Sequence, residues 1–204
     1  SNFFLRRGFL VEEAKKVQQN QLQAAPVFRK SLYVGTIYQF KEPEDLAYIN
    51  YCGPASTQVA LRARTTNIPS LYAVGQFELI DPNWGVYMSN VTPCLNDYLN
   101  TDFYWTDVAS SKVTLANRLK SDVDQGYAML TGVVTSKMGG WGDHFAYHII
   151  TLYGYDNTYN YSFDKMVYYV DTASNLAGYS GSYFHKVTLT DMWNYVSPNN
   201  VQSW

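Results

Sequence analysis

Tyr51-Cys52-Gly53-Pro54-Ala55-Ser56 is the stretch on which the reading of this chain turns. One cysteine is followed by a tight Gly-Pro turn and then by a helix-forming run, Thr57 to Arg64. The pattern predicts a thiol at or near a helix N-terminus. Backbone N–H groups and the helix dipole favour negative charge there, and so favour the nucleophilic thiolate. A cysteine in that setting is a candidate nucleophile, and it needs a base and a group to orient that base.

Upstream of this turn, Lys41 to Asn50 reads as a polar loop with Pro43, and Ser31 to Phe40 has the β-branched and aromatic content of a strand. Phe9 to Gln23 reads as a helix with a glutamine-rich tail. Residues 1–30 are therefore set apart as an N-terminal helical arm or propeptide-like segment, and residues 31–204 as one domain. Downstream, helices are expected over Leu71–Ile80, Val91–Asn100 and the amphipathic Val113–Asp124, with a short strand at Asp102–Val108. The remainder is mainly strand: Tyr127–Thr135, Phe145–Tyr155, Met166–Val170 and Tyr183–Leu189. A last short helix, Thr190–Val196, is expected with Thr190 or Asp191 near its N-cap. Helices early and strands late predict an α+β domain with an antiparallel sheet.

Composition excludes several classes. A length of 204 residues with 47% hydrophobic residues supports a normal core. The formal net charge of -2 gives no electrostatic reason to expect nucleic acid as a partner. No apolar run approaches the roughly 18–20 residues of a membrane span. The many Tyr, Asn, Ser and Thr against few Lys and Glu predict a secreted or cell-surface protein, although Ser1 to Arg7 lacks the apolar core of an export signal. Two cysteines, Cys52 and Cys94, make no disulfide scaffold, and a disulfide between them is the competing reading of both. No Cys/His cluster suggests zinc, so neither a metal nor a cofactor is expected.

Two of three histidines lie close together, at His144 and His148. Even spacing puts both on one face of a strand, so periodicity does not choose between them. Asp171 closes the Met166–Val170 run, where a turn aspartate is also common.

Taken in order, the Tyr51–Ser56 turn, the segment His148-Ile149-Ile150-Thr151-Leu152-Tyr153-Gly154-Tyr155-Asp156 and Tyr169-Val170-Asp171 resemble a bacterial papain-like family related to bacteriocin-leader-processing peptidases. The resemblance covers about Tyr38 to Ser174 and implies a papain-like fold. The Gly154-Tyr155-Asp156 offset selects His148. Carried over, Cys52 is the nucleophile, His148 the base and later the acid, and Asp171 the group that orients the imidazole. The implied activity is amide hydrolysis, usually of peptide bonds, on a peptide or protein substrate. The family places a glutamine shortly before the cysteine as an oxyanion donor. Gln39 is the match here, although Lys41 to Asn50 intervenes, and Asn50 is the nearer alternative. The family also often has proline after the orienting aspartate, where this chain has Thr172.

Trp141, set among glycines before the histidine strand, is a candidate for lining a substrate cleft, with Gly53 and Asn50 beside the thiol. Trp84, Trp105, Trp193 and Trp204 are expected mainly in packing. Two rival functions remain open: an inactive module binding peptide or cell-wall material, and acyl transfer by the same three residues.

Overall fold

The structure, a computed structural model, describes residues 32–33, 40–44, 50–156 and 165–204. The expected helix at Phe9–Gln23, the whole 1–30 segment and Gln39 lie outside the described residues.

Helix α1 spans Cys52–Arg62, and every residue from Gly53 to Leu61 is buried. Pro54 stands in its first turn, where a missing N–H breaks no intrahelical bond, and the Ala55 N–H donates to the Tyr51 carbonyl at 2.9 Å. A helix buried on all sides is a central element. Gly53 is required there, because a Cβ would come within 2.1 Å of the Val86 side chain.

Helices α2 (Leu71–Phe77), α3 (Met88–Leu99) and α4 (Lys112–Asp124) follow. Ser70 caps α2 and Ser111 caps α4, each accepting from an N–H three residues on. The strands are β1 (Leu32–Tyr33), β2 (Thr106–Asp107), β3 (Met129–Val134), β4 (Tyr147–Asp156), β5 (Met166–Val170), β6 (Phe184–Thr188) and β7 (Gln202–Ser203). They form one antiparallel sheet in the order β2-β7-β3-β4-β5-β6. β1 pairs with the far end of β4, at Tyr155 and Gly154, past the last β3 partner at Leu152. Helix α5 is Leu189–Val196.

The fold class is thus the α+β, papain-like arrangement that the sequence predicts, with α1 laid across the middle of the sheet. Two reciprocal side-chain bonds fix α1 to β4. Ser56 Oγ donates to the Ile149 carbonyl at 2.9 Å, and Thr151 Oγ1 donates to the Ser56 carbonyl at 3.0 Å. Both hydroxyls are fully buried, so each bond satisfies a group that would otherwise be costly to desolvate. Around this contact Leu61, Val91, Leu95, Leu119, Leu130, Ile150, Leu152 and Met192 form the main core.

Some elements differ from the sequence expectation. The N-cap of α5 is Thr188, whose hydroxyl accepts from the Asp191 N–H at 3.0 Å. The expected Asp102–Val108 strand contracts to Thr106–Asp107, the only two residues there that meet β7. The polar loop after Phe40 is not wholly solvated, because Glu42 is buried.

Candidate active site

Three elements bring three side chains together. α1 presents Cys52 from its first residue, β4 presents His148 from its second, and Asp171 stands directly after β5. Asp171 also caps the 3-10 turn Thr172–Asn175, accepting from the Ala173 N–H at 3.0 Å. One turn therefore fixes the carboxylate before any partner side chain is considered.

His148 Nε2 lies 2.8 Å from Asp171 Oδ1. The Cys52 thiol bears on the same imidazole and raises its proton affinity. With Nε2 engaged by the carboxylate, Nδ1 is the nitrogen left for the sulfur. His148 is 4% exposed and Asp171 0%, so their attraction acts with little screening by water. For His148, burial pulls the proton affinity down, but the Asp171 charge and the bonds to Asp171 and Cys52 outweigh it and hold the ring protonated well above its ordinary range. For Asp171, burial pushes upward, and the His148 charge, the His148 and Trp141 bonds and the Ala173 N–H together bring the carboxyl below its usual value. Both shifts favour an ionised pair.

Trp141 has a larger part than its sequence position indicates. Its indole N–H donates to Asp171 Oδ2 at 2.8 Å, so both carboxylate oxygens are held. Its ring meets His148 edge-on at 5.1 Å and stacks on His144 at 5.9 Å. The loop that carries it is latched by the Ser180 N–H, which donates to the Gly140 carbonyl at 2.9 Å. Gly140 has φ +95° and leaves no space for a Cβ against Gly181, so glycine is needed for this approach.

Above Cys52 an open cleft of about 440 Å³ is lined by Trp84, Gly85, Trp141, His144, Tyr147 and the Leu176–Tyr179 loop. Asn50 also lines it, with its side-chain amide donating to the Pro82 carbonyl. Gly53 does not: its Cα faces inward on Val86. His144 is exposed at the cleft mouth. Trp84 is 82% exposed on the cleft rim rather than packed in the core. The cysteines Cys52 and Cys94 are both free, and Cys94 is a buried residue of α3. Among the described residues, no helix is long and apolar enough to cross a membrane.

The structure brings together Cys52, His148 and Asp171, the three residues that the sequence reading singles out, and Trp141, which that reading places only as a cleft residue. That reading misses the Trp141–Asp171 bond, the rim position of Trp84, the Tyr179 wall and the burial of Glu42. A tryptophan in a glycine-rich loop is the one signal that could have suggested the first of these.

The structure is similar to the crystal structure of a Bacillus anthracis protein assigned as a C39-like peptidase, with a TM-score of 0.57 at 12% identity, covering 86% of this chain and 97% of that one. At that identity the likeness speaks for the fold alone. No curated protein matches the sequence. The profile of the Peptidase_C39 like family matches residues 31–200, which take in the cysteine turn, the histidine strand and the aspartate that follows β5. The chain belongs to the Peptidase_C39 like family.

Proposed function

We propose that this protein is a cysteine peptidase acting through Cys52, His148 and Asp171 and a thioacyl intermediate. The observation that carries the reading is the imidazole held between a helix-borne thiol and a buried carboxylate, at the floor of an open cleft. Family membership supports peptidase chemistry at the coarser level.

The reaction runs in two halves. Cys52 Sγ, as thiolate, attacks the scissile carbonyl carbon and forms a C–S bond. His148, as imidazolium, gives its proton to the departing amine when the C–N bond breaks. His148, now neutral, then takes a proton from water, whose oxygen attacks the thioester carbon; the C–S bond breaks, the acid product leaves, and the thiolate and imidazolium are restored. Asp171 keeps the ring oriented and stabilises its charged form. The Cys52 backbone N–H, in the first turn of α1 and without an intrahelical acceptor, suits the developing oxyanion. A side-chain amide, Gln39 or Asn50, is the second donor in this reading.

Cys52→Ala is expected to abolish turnover of a peptide library, read by mass spectrometry, while the melting temperature stays within a few degrees of the parent. A Cys52→Ala protein that still cleaves would sink the assignment. Inclusion of a primary amine in the same assay separates hydrolysis from acyl transfer by the mass of the product.

A further inference from the structure

Glu42 is a carboxyl group that the mechanism above does not use, and it is 1% exposed. Burying a carboxylate is costly unless it is paired, so its position calls for a physical reason. Two bonds tie it to the residue after the orienting aspartate. The Glu42 backbone N–H donates to the Thr172 carbonyl at 2.9 Å. Thr172 Oγ1 donates to Glu42 Oε1 at 3.1 Å. Thr172 is itself fully buried. A side chain without a hydroxyl at 172 could not give this bond. The glutamate and the threonine therefore read as one device.

Among the described residues, the ionisable groups that bear on Glu42 are His148 from β4 and Asp171 from the end of β5. We propose that Glu42 is a positioning residue for the His148–Asp171 pair: through Thr172 it braces the backbone that aims the Asp171 carboxylate, and when ionised it adds a second negative charge that keeps His148 protonated. The inference rests on the reading of Cys52 and His148 as a working pair.

Charge and geometry act at different pH. Burial pushes Glu42 up to about 7, against the attraction of His148 and the Thr172 bond, and Asp171 adds to the rise. Below that pH the neutral acid serves only as a brace. Above it the carboxylate forms while His148 is still cationic, because His148 holds its proton well above its ordinary range. The coupling is reciprocal: an attraction that eases proton loss from Glu42 retards proton loss from His148 equally. Removing the Glu42 charge must lower the pH at which His148 deprotonates.

The test is a histidine titration by NMR on the intact protein, following the ring signals of His144, His148 and His185. Glu42→Gln keeps the shape and the acceptor for Thr172 but removes the charge. It is expected to lower the His148 midpoint by a resolvable fraction of a pH unit, with His144 and His185 unmoved. Thr172→Val removes the hydroxyl through which Glu42 braces the turn that aims Asp171 and is expected to give a smaller step in the same direction. Cys52→Ala is the control for the pair and is expected to lower the midpoint independently. If Cys52→Ala moves His148 and neither Glu42→Gln nor Thr172→Val does, the role of Glu42 is overturned and the Cys–His pair stands. If Cys52→Ala leaves the midpoint in place, the pair itself fails and the inference goes with it. Should Glu42→Gln not fold, Thr172→Val alone decides.

Discussion

Trp141 holds the Asp171 carboxylate with its indole N–H and walls the cleft with its ring. The two roles separate in Trp141→Phe, which keeps an aromatic ring and deletes the donor. Asp171, which is fully buried, then loses a bond at Oδ2. Such a loss costs about 1–3 kcal/mol. Most of it falls on the aim of His148, so kcat/KM is expected to drop about tenfold to a hundredfold. Steady-state kinetics on a cleaved peptide checks it, and an unchanged kcat/KM would reduce Trp141 to a packing residue. The residues of the site differ in how legible they are for a physical reason. Cys52 announces itself through chain-local features, a Gly-Pro turn and a helix start. Trp141 and Asp171 are 30 positions apart and Glu42 and Thr172 are 130 apart. Their meeting is set by strand order, which no local pattern encodes. Glu42, between Lys41 and Pro43, has the neighbours of a solvated loop residue.

Helix α1 is the element on which the site depends, and its approach to the rest of the molecule is fixed by a missing side chain. A Cβ at Gly53 would sit 2.1 Å from Val86 Cγ2. Gly53→Ala must therefore push α1 or Val86 aside, although alanine is the better helix former. Overpacking of this kind costs about 1–3 kcal/mol, and the thiol lies one residue away. Gly53→Ala is expected to lower both thermal stability and activity. The double variant Gly53→Ala with Val86→Ala is expected to recover part of each, because it removes the opposing methyl group. Calorimetry on the single and double variants measures the recovery, and simple additivity would refute the contact. The elements themselves were legible where side chains alternate or repeat. Met166–Val170 is found with its observed ends, and α4 begins one residue before its expected start. The N-cap of α5 was misplaced because Thr188 and Thr190 both offer a hydroxyl, and the pairing of Thr188 with Met166 in β6 decides which one closes the helix.

At the scale of the molecule, two buried acids set how stability depends on pH. Glu42 is raised to about 7 and Glu78 to about 8, in both cases mainly by burial. Glu78 is fully buried under the first turns of α1, where Thr57 Oγ1 donates to Oε1 at 2.5 Å and the Cys94 thiol lies against the carboxyl. Both groups hold a proton in the folded chain that the unfolded chain releases near pH 4.5. Their contribution is fully present below that pH and declines as pH rises through 7 and 8, by up to about 1.4 kcal/mol per pH unit for each proton held. Asp171 works the other way: its carboxyl is lowered, so its contribution is present above the ordinary carboxylate range and is lost in acid. Stability is therefore expected to peak on the acid side of neutrality, between the loss at Asp171 below and the losses at Glu42 and Glu78 above. Glu78→Gln isolates one term. The amide keeps an acceptor for Thr57 and cannot ionise, so the variant escapes the alkaline penalty. Measured against the parent at each pH, its melting temperature is expected to improve by several degrees between pH 5 and pH 9. The comparison cancels the other titrating groups, His148 included. A difference in melting temperature that stays flat across that range would mean that Glu78 ionises in the folded chain as it does in the unfolded one, and the acid beneath α1 would then have no hold on stability.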